Sequence, residues 1–118
     1  MKELDTMVFE WNENGCCRGH LLHTITNGRL DMTIHVAKFG DGWDAAPSYS
    51  FSGLSGGGRY CWDIKCTPGR TLQQAVNEAV DVHIRTIENL TNNDGRVFPP
   101  VVLQTLRGWK EGLQGTLF

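Results

Sequence analysis

No run of apolar residues in this chain approaches the ~18 that a membrane-spanning helix requires, so a membrane protein of that kind is not expected. The first residues, "MKELDTMVFEWNENG", carry acids where a secretory leader would be basic, and the expected location is the cytoplasm, or the host cytoplasm if the source is a phage. A strong excess of one charge is missing too. Lys and Arg number 11 against 13 Asp and Glu, a net charge of −2, which removes the drive for broad attraction to nucleic acid or anionic membrane. There is no disorder signature, because 40% of residues are hydrophobic and only 20% charged. Catalytic signatures are lacking as well. The stretch "SGLSGGGRY" has neither the Lys-Ser nor the Lys-Thr ending of a phosphate-binding loop, and it leads into a strand rather than a helix. Ser48, Ser50, Ser52 and Ser55 have no nucleophile-elbow context. No motif names a reaction, and no cofactor is expected.

What is present describes one domain, residues 1–118, long enough to bury roughly 65% of the surface its unfolded form exposes. A metal or disulfide is not needed to hold such a chain together. Fourteen glycines, several in Asn-Gly or Gly-Asp pairs, indicate many turns. The most informative stretch is "HLLHTITNGRLDMTIHVAKF", where Asn27-Gly28 separates two strand-like runs as in a two-residue hairpin turn. With those two residues as the turn, Ile25 faces Leu30, His23 faces Met32, Leu21 faces Ile34 and Gly19 faces Val36 on an apolar side. On the polar side Thr24 meets Asp31, Leu22 meets Thr33, His20 meets His35 and Arg18 meets Ala37.

Further strands are expected over 6–11, over 43–52 after the turn "GDG", and in "RYCWDIKC" beyond a glycine-rich connection at 53–58. Pro47 removes a ladder donor and suggests an edge or bulge. From residue 71 the apolar period changes to that of a helix. Leu72, Val76, Ala79, Val80, His83, Ile87 and Leu90 share one face, and Thr71 with Gln74 has the form of a capping box. A second helix begins near Pro99 or Pro100, with Val102, Leu106, Trp109 and Leu113 on its apolar stripe. The fold class is α+β: an antiparallel meander sheet of about five strands over residues 6–66, one face covered by two C-terminal helices at about 71–90 and 100–112.

The one concentration of metal-ligating residues is "GCCRGHLLH", residues 15–23. Zinc needs its ligand atoms about 2.0–2.3 Å from one ion, yet Cys16 and His20 are roughly 13 Å apart along an extended strand. A site would need Cys16, Cys17 and His20 in a loop, with Cys61 and Cys66 alongside. In a reducing compartment free thiols and ordinary histidines are the favoured reading. The register places His20 beside His35, a pair that can hold a metal or exchange protons only with a further ligand nearby. His23 and His83 both fall on apolar faces, as core histidines bonded to backbone groups.

In size, single-domain build and absence of catalytic motifs, the chain resembles the small phage or mobile-element inhibitor proteins of the anti-CRISPR and antirestriction type. The resemblance covers general layout and carries no functional residues with it. It implies a non-enzymatic protein-binding protein that sterically blocks a host defence nuclease or surveillance complex. The partner would be a protein or a protein–nucleic acid complex, met by Glu10, Glu13, Asp31, His20, His35, Asp41, Trp43 and Asp44. Two alternatives stand beside it. One is a small metal- or ligand-dependent enzyme using His20, His35 and the cysteines. The other is a nucleic-acid-binding sheet displaying Arg18, Lys38, Arg59 and aromatics. An exposed edge strand can also pair with its copy in a homodimer.

Overall fold

A computed structural model describes residues 8–13, 17, 19–51, 54–57 and 68–112. The architecture is α+β. Three long strands, β1 (His20–Asn27), β2 (Leu30–Phe39) and β3 (Gly42–Phe51), are followed by a short β4 (Leu54–Gly57), in the antiparallel order β1-β2-β3-β4. Two helices follow, α1 (Leu72–Asp94) and α2 (Pro100–Gly112).

A count of about five strands is not reached among the described residues. Residues 8–11 of the expected first strand lie outside the sheet, and the expected strand in "RYCWDIKC" lies outside the described residues. Part of the glycine-rich connection is itself strand, because Leu54–Gly57 pairs with Ser48–Phe51. Pro47, which cannot donate to a ladder, sits one residue beyond the last of these pairs.

The turn between β1 and β2 corrects the expected register. Asn27 pairs with Leu30, so the two turn residues are Gly28 and Arg29, not Asn27 and Gly28. Gly28 has φ +58°, the left-handed conformation that tight hairpins need at this position and that only glycine adopts without strain. Moving the turn by one residue slides β1 two positions along β2 and leaves its faces unchanged, so Ile25 still points to the helix side. The bulge between His23 and Ile25 adds the single-residue shift that turns His20–His23 over.

The outcome is that Leu22, Thr24 and Ile25 are buried, while Leu21 and His23, expected to face the helices, are exposed. The expected neighbours His20 and His35 also separate: His20 pairs with Val36, and His35 with Leu21. The bulge disrupts the ladder locally. Side chains serve the carbonyls there: Thr24 Oγ1 donates to Met32 O at 2.8 Å, and His83 Nε2 lies 2.9 Å from Thr33 O. Since a carbonyl only accepts, Nε2 carries the proton in the His83 ring.

The helices assemble as their apolar spacing requires. Thr71 caps α1, its hydroxyl accepting from the Gln74 N–H while the Gln74 side chain accepts from the Thr71 N–H. Gly95, at φ +65°, ends the helix in the left-handed conformation. All seven residues of the expected apolar face of α1 are buried. Helix α1 packs over β3 and β2, and α2 packs over β1 and beside α1. Between the layers lie Leu30, Met32, Ile34 and Val36 of β2, with Trp43 of β3 and Val102 and Leu106 of α2.

A smaller cluster lies on the other side of the sheet. Cys17, Ala37 and Ala46 are buried there beneath Phe9 and Trp11. Trp11 Nε1 donates to Lys38 O at 3.0 Å, and its ring meets Phe39 edge-on. The N-terminal segment thus clamps the end of the sheet at the β2–β3 turn.

Candidate functional site

Because both helices lie on one side, the outer face of the sheet carries the side chains available for recognition. The pairings Leu21↔His35↔Ala46, His23↔Thr33↔Ser48 and Thr26↔Asp31↔Ser50 place these nine residues on that face in three rows. Side chains opposite one another lie about 5 Å apart and diagonal neighbours about 7–8 Å, so His23 and His35 are diagonal neighbours. His23, Thr26, Asp31 and Ser50 are exposed, whereas Thr33, His35 and Ser48 are half-buried. Burial holds the pKa of His35 below the ordinary histidine value. Thr26 Oγ1 donates to Asp31 Oδ1 at 3.3 Å. These three rows are rich in hydroxyl and imidazole groups, each able to donate and accept, with Asp31 as their one carboxylate.

The expected partner-contacting residues are not gathered into one patch. Asp31 lies near the β1–β2 turn, while Asp44 pairs with Ala37, six residues further along β2 or about 20 Å away. Glu10 and Glu13 are exposed in the N-terminal segment. Asp41 and Asp44 make contacts within the fold: Asp41 Oδ1 accepts from the Gly69 N–H at 3.1 Å, and Asp44 Oδ1 lies 3.7 Å from the Arg70 guanidinium. Arg70 also pairs with Glu78 on α1, and its carbonyl accepts from the Trp43 N–H at 3.0 Å. This arginine ties residues 68–70 to the β2–β3 turn and to the start of α1. Sequence reasoning missed it, because the partners lie 8 and 26 positions away and no local pattern marks the contact.

Trp43, one of the expected partner-contacting residues, is a core residue with 5% exposure. Phe9 meets its ring edge-on at 5.6 Å and the Lys38 ammonium lies 5.7 Å from its centroid. His20, on the helix side of the sheet, is half-buried. Of the metal candidates, Cys17 is buried and its Sγ accepts from the Gly19 N–H at 3.4 Å; Cys16, Cys61 and Cys66 lie outside the described residues. Among the described residues no three His, Cys, Asp or Glu side chains converge to hold a metal ion. No helix among them is long and apolar enough to cross a membrane.

Aromatics are also placed away from the outer rows. Tyr49 and Phe51 pack against the core on the helix side, Phe51 edge-on to Phe98 at 5.2 Å. Arg18 and Arg59 lie outside the described residues. Comparison with known protein families, with curated proteins and with solved structures found no match.

Proposed function

We propose that this protein is a non-enzymatic protein-binding protein whose contact surface is the outer face of the sheet. The observation that carries the reading is the composition of that face, where hydroxyls and imidazoles of His23, Thr33, His35, Ser48 and Ser50 stand in regular rows. A rigid, hydrogen-bonding surface suits a protein partner with complementary backbone and side-chain groups. In its specific form the proposal is an inhibitor of phage or mobile-element type, which occupies a host defence nuclease or surveillance complex and blocks it sterically. Glu10, Glu13 and Asp31 are exposed and suited to steering the protein toward a basic surface.

The alternatives draw less support. An enzyme built on His20 and His35 would need these rings on one face, and they lie on opposite faces. A stacking platform for single-stranded nucleic acid needs aromatics spread over the open face, whereas Tyr49 and Phe51 face the helices and Phe9, Trp11 and Phe39 are packed together at one end of the sheet.

The test is affinity capture from the native host with wild type, Ser48→Arg on the outer face, and Arg85→Glu on the exposed side of α1. Wild type and Arg85→Glu should retain the same protein. Ser48→Arg should lose it by about tenfold or more, the equivalent of ~1.4 kcal/mol. Equal capture by all three removes the outer face as the contact surface.

A further inference from the structure

We infer that the β1 edge, with the flank of α2 above it, is the interface of a two-fold dimer of this chain. The edge shares Leu21, His23 and Thr26 with the outer face, whereas Gly108 lies on α2 away from it, so Gly108→Glu separates the dimer from the partner-binding reading. Strand β1 ends the sheet: among the described residues only β2 pairs with it. An unpaired edge presents a row of backbone donors and acceptors that only another extended strand satisfies fully, and monomeric proteins guard such edges with charge or proline. Here the strand reads "HLLHTITN", with no Lys, Arg, Asp, Glu or Pro. Its bulge at Thr24 leaves His20–His23 as an uninterrupted segment. Within it, apolar Leu21 is 39% exposed on the outer side.

The layer above ends in the same way. At 100° per residue, the core side of α2 is marked by buried Val102 and Leu106, and the side toward α1 by Lys110, whose Nζ lies 2.7 Å from Asp81 Oδ1. The flank facing away from α1, over the β1 edge, therefore carries Val101, Thr105 and Gly108. Val101 is 48% exposed and Gly108 has open space where a Cβ would stand. The charged or polar Gln104 and Arg107 are exposed and belong to the solvent side of this helix. Strand edge and helix flank are thus both free of formal charge, in a chain of net charge −2.

A second copy is the occupant that matches both layers at once. A two-fold axis beside β1 aligns the strands antiparallel, brings Val101, Thr105 and Gly108 of one copy against the same residues of the other, and places no like charges together. The eight strand residues and three helix residues make about eleven a side, against roughly 20–30 in a standard interface. That is well below a standard interface and sets a weak, concentration-dependent dimer.

Sedimentation equilibrium over a concentration series tests this on the full chain. Leu21→Lys adds a charge to the strand edge, and Gly108→Glu places a carboxylate of each copy near the axis. Both positions are exposed, and circular dichroism verifies the fold. If Leu21→Lys does not fold, Gly108→Glu carries the test. Wild type should show a monomer–dimer equilibrium, weakened about tenfold or more by each substitution and unchanged by Arg85→Glu. A wild-type monomer at every concentration up to about 1 mM overturns the inference. So does a dimer indifferent to both substitutions.

Discussion

His83 sits in the interior with its Nε2–H committed to the Thr33 carbonyl, at the point where the β1 bulge interrupts the ladder. Burial drives its pKa below the ordinary value of 6.5, and the bond to Thr33 offsets part of that shift. The unfolded chain therefore binds a proton at higher pH than the folded one. Stability is full above about pH 6.5 and declines as pH falls from there toward the folded-state value, with a slope of at most ~1.4 kcal/mol per pH unit from this group. His35, whose pKa is also lowered by burial, adds an effect of the same sign. Urea unfolding at about pH 7.5 and pH 5.5, which bracket the ordinary histidine value, should show a lower midpoint at the acidic pH. The gap should narrow in His83→Gln, which keeps a donor for Thr33 and removes the titration. An equal gap in the variant would place the acid sensitivity elsewhere.

Among the elements, glycine substitutions of opposite sign test the hairpin turn and the α2 flank. Gly28→Ala forces an alanine into φ +58°, where nothing crowds the new Cβ, so the cost is conformational alone and about 1–2 kcal/mol. Gly108→Ala lies within α2 with equally open space and should stabilise the fold by up to ~1 kcal/mol. Thermal unfolding below the dimerisation range reads both, and a stabilising Gly28→Ala would refute the observed turn.

The helices were legible because seven apolar positions in α1 repeat at helical spacing and Thr71 with Gln74 caps them. Strand β2 was legible for the same kind of reason, since Leu30, Met32, Ile34 and Val36 alternate without ambiguity. β1 was not. Its adjacent Leu21 and Leu22 satisfy either phase, Asn27-Gly28 and Gly28-Arg29 both suit a two-residue turn, and nothing local announces the bulge at Thr24. The candidate site inherited that ambiguity: a shift of one residue put His23 rather than His20 on the face of His35. Trp43 stands beside Asp44 at a turn, and nothing local marks that Phe9, more than thirty positions earlier, packs on its ring.

At the scale of the whole molecule, one arrangement organises the rest: two helices on one side of a meander sheet, with the polar rows of β1, β2 and β3 on the other. The helix side is the larger core, and among the described residues the outer side is apolar at Leu21 and where Phe9 and Trp11 pack on Ala37 and Ala46. That asymmetry is the physical basis of the partner-binding reading. Hydrogen–deuterium exchange on this protein, alone and with the partner that capture retrieves, tests it most directly. The account predicts slowed exchange in β1–β3 around His23, Thr33 and Ser48, with the exposed side of α1 around Arg85 and Glu88 unchanged. Protection confined to α1, with the strands exchanging as in the free protein, would contradict it.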